Sequence, residues 1–249
     1  MPTLGVVVLS LGKTKHLTEC LQSVAWADEV LLVHAGGGEP EIGGGELPSL
    51  RIRHVASLAG AEKYFAEIRT DWILQLWAGE RLDAVLAEEI QALCRGPLRN
   101  GPGTYRIAVQ SHILGKWIEG CVAGPSPAVR LSRGIEAMPL GWWIETKSSE
   151  TLARGCIRDY GCSELVHAVE RVQELSDFWA ARLRGAASSP GALGTVLSSL
   201  KVFFKMLVLN RLFLRGVAGV TLSALASYAV LLSGAKHWEA KHVGAEREA

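Results

Sequence analysis

The sequence has almost no charge imbalance. Lysine and arginine total 26 against 25 acidic residues over 249 positions, and a net charge of +1 provides no global attraction to nucleic acid. Any basic patch must therefore be local. Paired cysteine is also missing. The five cysteines, at 20, 94, 121, 156 and 162, are odd in number and contain no C-x-x-C, which argues against a disulfide framework or a zinc site. They read as buried or free thiols of a reducing compartment. No basic n-region precedes the first apolar run, since Met1-Pro2-Thr3 leads straight into a strand pattern, so the expectation is no signal peptide and a cytoplasmic start. Neither G-x-G-x-x-G nor G-x-x-x-x-G-K-[ST] occurs. The two glycine-rich connections, Gly36 to Gly38 and Gly43 to Gly45, read either as shortened flexible loops or as weak phosphate cradles.

What is present is ample apolar material, 49% of the residues, in ordered runs. Leu4 to Leu11 is a β-branched run suited to a parallel strand buried on both faces. A helical pattern follows from Leu17 to Ala25, then strands at Glu29 to His34 and Arg51 to Val55, a short helix at Ala61 to Arg69, and a strand at Asp71 to Leu76. This alternation predicts an α/β fold with a mostly parallel sheet and right-handed crossovers. A helix is expected from Leu82 through Val85, Leu86, Ile90 and Leu93, with Glu80 as a charge at its N-terminus. Tyr105 to Val109 and Ala128 to Leu131 are further strand-like runs in loop-rich surroundings, and Ser163 to Arg184 is an amphipathic helix. Ala186 to Gly194 reads as a linker, which divides the chain into a domain over 1–185 and a helical tail over 186–249.

In the tail, Lys201, Lys205, Arg211 and Arg215 share one face of a helix drawn from Leu200 to Arg215, opposite Phe203, Phe204, Leu207, Leu209 and Leu214. That is the pattern of a helix lying in a membrane interface, with the lysine and arginine stems snorkelling to headgroups. Gly216 to Gly234 follows without a charge, barely long enough to span a bilayer. The competing expectation is a helical hairpin packed on the sheet. On the first reading a lipid surface is the partner of residues 200–237.

Several segments carry a family likeness. Cys20-Leu21-Gln22-Ser23-Val24-Ala25-Trp26-Ala27-Asp28-Glu29, Asp71 to Glu80, Gly115-Lys116-Trp117-Ile118 with Arg130-Leu131, and a tail with Arg215-Gly216-Val217-Ala218-Gly219 and Ser227-Tyr228 through Glu239 resemble bacterial family 2 glycosyltransferases of the lipopolysaccharide-core type. The resemblance implies a GT-A fold with a nucleotide-sugar half and an acceptor half, peripheral at the cytoplasmic face of the inner membrane. It also implies a D-x-D pair that holds a divalent metal. Here those two places are Trp77 and Gly79, and only Glu80 remains. The family's N-E after the first strand becomes Gly12 and Lys13, its nucleotide loop becomes His34 to Glu39, its later H-E becomes Ile144-Glu145, and a histidine becomes Asp159.

The residues left to do chemistry are Glu80, Glu145 and Asp159 as carboxylates, with Ser10, Lys13, His34, Glu39 and Arg130 as nucleotide-side contacts. No metal set and no cofactor is expected. Each has a plainer reading: His34 as a half-exposed strand-end residue, Arg130 as a surface or ion-pair arginine, and Trp77, Trp142 and Trp143 as packing rather than a sugar platform. Loss of a metal-held diphosphate site removes the usual neutralisation of the leaving group. The sequence therefore points to a degenerate transferase acting as a binding or structural subunit, with a protein partner or membrane complex. The alternative is an active, metal-independent transferase that adds a sugar from a nucleotide sugar to a lipopolysaccharide-type or lipid-linked acceptor.

Overall fold

The computed structural model describes residues 2–12, 15–36, 38–43, 47, 49–57, 61–96, 103–122, 126–134, 149–185 and 191–247. Lys13, Gly37, Gly44, Gly45, Trp142, Trp143, Ile144 and Glu145 lie outside these residues, as does most of the expected linker.

The first half is a βα alternation: β1 (Leu4–Leu11), α1 (Leu17–Ser23), β2 (Glu29–Ala35), β3 (Leu50–Val55), the single turn α2 (Glu62–Phe65) and β4 (Trp72–Trp77). The second half adds β5 (Glu80–Leu82), α3 (Ala84–Arg95), β6 (Thr104–Ile113), β7 (Lys116–Glu119), β8 (Ala128–Arg133), β9 (Ser149–Asp159) and α4 (Leu165–Gly185). The strands form one sheet in the order β3-β2-β1-β4-β8-β6-β9-β5, with β7 paired to β6. β3, β2, β1 and β4 run parallel, β6 and β9 pair parallel, and antiparallel joints connect the rest. The fold is the expected α/β architecture. β1 and β4 are central and covered on both faces, with Leu4 to Ser10 buried, which is why they read as nearly continuous apolar runs broken only by Ser10 and Gln75.

Two acidic residues of the family-like segments turn out to hold this sheet together. Asp71 Oδ2 accepts from Thr3 N at 2.8 Å, and Asp28 Oδ2 accepts from Leu4 N at 2.7 Å. Both carboxylates clamp the entry to β1, where main-chain donors would otherwise lack partners. The amide of Thr3 leads the interactions that hold Asp71 below its ordinary carboxylate range.

The structure departs from expectation after β4. Glu80 does not begin a helix: it opens β5, and α3 starts only at Ala84, capped by Asp83 Oδ1 accepting from Leu86 N at 2.7 Å. The tail also differs. Leu200 to Arg215 is not one helix, because α5 (Ala192–Phe204) passes into a π-helical turn at Lys205–Leu209, then a 3-10 turn at Leu212–Arg215, before α6 (Val217–Arg247). Arg211 sits between the turns at φ +55, so the chain reverses there and α5 and α6 form a hairpin. α6 also packs along α4. α5 takes in Ala192 to Gly194, the last residues of the expected linker.

Candidate functional site

Parallel register fixes what meets at the carboxyl edge of the sheet, where ligands of α/β proteins bind. Ser10 lies beside His34, His34 beside His54, and Leu9 beside Trp77. Ser10 and His34 are buried, with His34 Nδ1 3.3 Å from Ser10 Oγ, and the His34 and His54 rings meet edge to face at 5.8 Å. Burial, aided by His54, holds His34 below the usual histidine value. His34 is thus not half-exposed as expected. Glu39 is exposed and 3.6 Å from His54 Nε2. Arg130 does not join this group.

The turn that follows β4 decides the chemistry. Ala78 N donates to Leu9 O at 2.8 Å and Tyr160 N donates to Gly79 O at 2.9 Å, which fastens the turn to β1 and to the end of β9. Gly79 has φ +95, and a Cβ there would sit 3.0 Å from Gly161 N. Only glycine meets both conditions without strain. Glu80 folds back, its Oε2 accepting from Trp77 N at 2.8 Å. Its Oε1 accepts from Arg130 Nη2 at 2.7 Å and lies 3.5 Å from Arg171 Nη2.

β5 and β9 place Asp159 opposite Glu80. Asp159 Oδ1 accepts from Arg171 Nη1 at 2.7 Å and Gly161 N at 3.0 Å, and its Oδ2 accepts from Ser111 Oγ at 3.0 Å. Glu80 and Asp159 are 0% exposed, and Arg130 and Arg171 are each 6% exposed. This is a closed set of two carboxylates and two guanidiniums. Burial pushes the Glu80 carboxyl up against the pull of Arg130 and Arg171. Burial also works against the charge of Arg171, but the surrounding acids, Asp159 first, raise its pKa.

Beneath the sheet edge is a cleft of about 90 Å³ between the ends of β1 and β4 and the start of α4, bordered by Leu9, Trp77, Tyr160, His167 and Arg171. Trp77 is its floor. The indole meets Phe178 edge to face at 6.3 Å, and the Arg171 guanidinium lies 5.6 Å from its ring centre. Pockets for drug-sized ligands run to about 300–1,000 Å³, so this cleft is small for a nucleotide sugar.

A divalent metal does not fit the residues present. Hard cations take several oxygen ligands, whereas Trp77 and Gly79 supply no side-chain oxygen and Glu80 and Asp159 have theirs engaged by arginines and main-chain amides. Among the described residues no three His, Cys, Asp or Glu side chains converge. Nor does either carboxylate reach solvent, as a base acting on an acceptor hydroxyl must. Glu80 and Asp159, separate candidates in the sequence, are brought together around Arg171 in an ion cluster. Arg130 belongs to that cluster and not to a phosphate site.

Arg171 and Ser111 were not foreseen. Arg171 had a signal: it shares the inward face of α4 with Ala168, Val172 and Leu175, and a cation on an apolar stripe calls for buried acids.

No family model matches the chain. Among solved structures, it is similar to a mannosyltransferase from Pyrobaculum calidifontis, solved with GDP-mannose and Mn²⁺, at 9% identity and a TM-score of 0.50, over 97% of this chain and 88% of that one. It also aligns with S. aureus TarS at 13% identity and a TM-score of 0.42, over 95% of this chain and 55% of that one. A shorter form of TarS, residues 1–349, aligns at 12% identity and a TM-score of 0.39, over 96% and 91%. The first likeness shows a glycosyltransferase-type α/β fold.

Proposed function

We propose that this chain is a glycosyltransferase-fold protein that has left metal-dependent sugar transfer and serves as a binding or structural subunit, peripheral at the cytoplasmic face of a membrane. The observation that carries this reading is the buried Glu80–Arg130–Arg171–Asp159 cluster beneath Trp77. The carboxylates nearest the donor edge serve internal charge balance, and the indole occupies the place that the family resemblance gives to a ligand for the metal. What remains is a fold with a small cleft, no free carboxylate in its ion cluster, and a tail with an exposed apolar face. The resemblance makes a lipopolysaccharide-type or lipid-linked glycan the natural ligand class, and the engaged carboxylates favour binding over transfer.

The test is titration calorimetry with a panel of nucleotide sugars, with and without Mn²⁺ or Mg²⁺. No saturable heat is expected. Saturable, metal-dependent binding would restore the metal-dependent transferase. One observation favours a metal-independent transferase as the second reading: Arg171 borders the cleft and carries a fixed positive charge there. Release of nucleoside diphosphate in the presence of chelator would establish it.

A further inference from the structure

We infer that the α5–α6 hairpin docks in the plane of an anionic lipid leaflet, using its outward face, and does not cross the bilayer. The inference rests on the reading of the protein as membrane-peripheral and adds the surface and the mode of attachment.

The hairpin is built inside out. Its two helices meet through small and polar residues: Ser199 Oγ donates to Ser227 O at 3.1 Å, Ser227 Oγ donates to Ser199 O at 3.0 Å, and the two hydroxyls lie 2.9 Å apart. Further along, the helices are so close that a Cβ on Gly234 would stand 2.2 Å from Thr195 Cγ2. The large side chains point the other way. Most of the exposed large apolar residues among the described residues lie between Leu193 and Trp238, including Leu197 at 57%, Phe204 at 57%, Leu214 at 67% and Val217 at 76%. Helix pairs in water bury their large apolar side chains against each other. Helices in lipid meet through glycine, serine and threonine and turn the large residues outward.

The outward stripes are continuous. On α5, Leu193, Leu197, Leu200 and Phe204 recur at 3- and 4-residue spacing opposite buried Thr195, Ser199 and Val202. On α6, Val217, Val220, Tyr228, Leu231 and Trp238, at spacings of 3, 8, 3 and 7, fall on one face away from buried Leu222, Leu225 and Ala229. Between the helices this face opens into an apolar slot of about 330 Å³ bordered by Val196, Leu231, Ala235 and Trp238, suited to an acyl chain.

Charge selects the occupant. Lys201, Arg211 and Arg215 are exposed at the tip end of the hairpin and Lys205 is half-buried beside them. The sequence has no aspartate or glutamate between Asp177 and Glu239. An apolar face edged with cations and free of acids complements anionic headgroups above a hydrocarbon layer. A second copy of this chain would bring cation against cation.

Packing decides between lying and spanning. Ala192–Leu209 and Val217–His242 are each long and apolar enough to cross. However, the inner face of α6 is committed to the domain: Lys236 Nζ pairs with Asp177 Oδ1 at 2.6 Å and donates to Gln173 O at 3.1 Å, and His237 is buried. A crossing would strip these contacts and carry polar groups into lipid.

The experiment uses the full chain with phosphatidylglycerol or phosphatidylcholine vesicles. Flotation with phosphatidylglycerol is expected. At about 1 kcal/mol for each cation near an anionic leaflet, Lys201→Gln with Arg215→Gln should weaken it roughly 30-fold. Leu197→Asn with Phe204→Asn, both at exposed positions, should abolish it. Asn210→Cys at the tip should remain open to an impermeant thiol reagent added outside, the native cysteines being buried. Flotation with a protected Cys at 210 would mean a spanning hairpin, and flotation indifferent to both double variants would mean another surface. Either result overturns the in-plane face while leaving membrane attachment intact. Absence of flotation would overturn both, and a dimer disrupted by Leu197→Asn with Phe204→Asn would identify a second copy as the occupant.

Discussion

Replacing Arg171 with methionine removes one of two cations from a sealed ion cluster while keeping most of the side-chain volume. Asp159 then loses the 2.7 Å bond from Nη1, and Glu80 keeps only Arg130 and the Trp77 amide. Breaking a buried pair by removing one partner costs about 3–5 kcal/mol, because the remaining charge stays buried without its counterion. Domains of this length lose about 2–4 °C per kcal/mol, so the melting temperature should fall by roughly 6–20 °C. The assay is equilibrium urea unfolding of wild type, Arg171→Met, Asp159→Asn and the double variant. Residues in one network couple by about 0.5–3 kcal/mol, so the double variant should be clearly less unstable than the sum of the singles. Replacing all four members with apolar residues of similar volume should cost less than removing Arg171 alone. A penalty below about 1 kcal/mol for Arg171→Met, or simple additivity with Asp159→Asn, would refute the view that these groups serve each other. Glu80 would then be free for ligand chemistry.

Two further outcomes are expected. Both His237 ring nitrogens are buried without a hydrogen-bond partner, and burial first, then Lys241 and Arg184, holds its pKa below the ordinary 6.5. A depressed histidine contributes stability that is complete above the unfolded value and lost as pH falls through the folded one. Urea midpoints should therefore drop between pH 7.5 and 5.5, and His237→Leu should flatten that drop; an unchanged slope would assign the pH response elsewhere. Introducing an acidic pair with Trp77→Asp and Gly79→Asp should destabilise the fold by several kcal/mol, since loss of a buried tryptophan side chain alone costs about 3–5 kcal/mol. It should also leave melting insensitive to Mn²⁺, and a manganese-dependent rise would show that the site can be rebuilt.

The sheet was legible in the sequence because β1, β2 and β4 are predominantly apolar runs, and a run buried on both faces needs no partner to be recognised. The turn after β4 was not. Leu82, Val85, Leu86 and Ile90 carry helical spacing, so a three-residue strand ahead of the true start at Ala84 is hidden inside the helix signal. The ion cluster joins residues about 90 positions apart, as Glu80 and Arg171 are, and no local spacing encodes that. The single helix drawn from Leu200 to Arg215 failed for the opposite reason. The cation periodicity from Lys201 to Arg215 is real as arithmetic, but Asn210 and Arg211 break the helix that the arithmetic assumes. The outward face survived the error because exposure of Phe204, Leu209 and Leu214 does not depend on their sharing one helix.

The close approach of Gly79 to Gly161 also constrains where this protein can go by mutation. An aspartate at 77 alone leaves an indole-sized void beside an arginine whose charge is already matched. A side chain at 79 alone meets the Gly161 main chain while holding φ +95. Neither single step makes a pair of metal ligands, and both lower stability before any gain could be selected. A pair of aspartates at 77 and 79 therefore needs both changes at once, with a relaxed turn after Asp159. Selection for a folded chain is enough, without any selection on activity, to keep Trp77 and Gly79 in place.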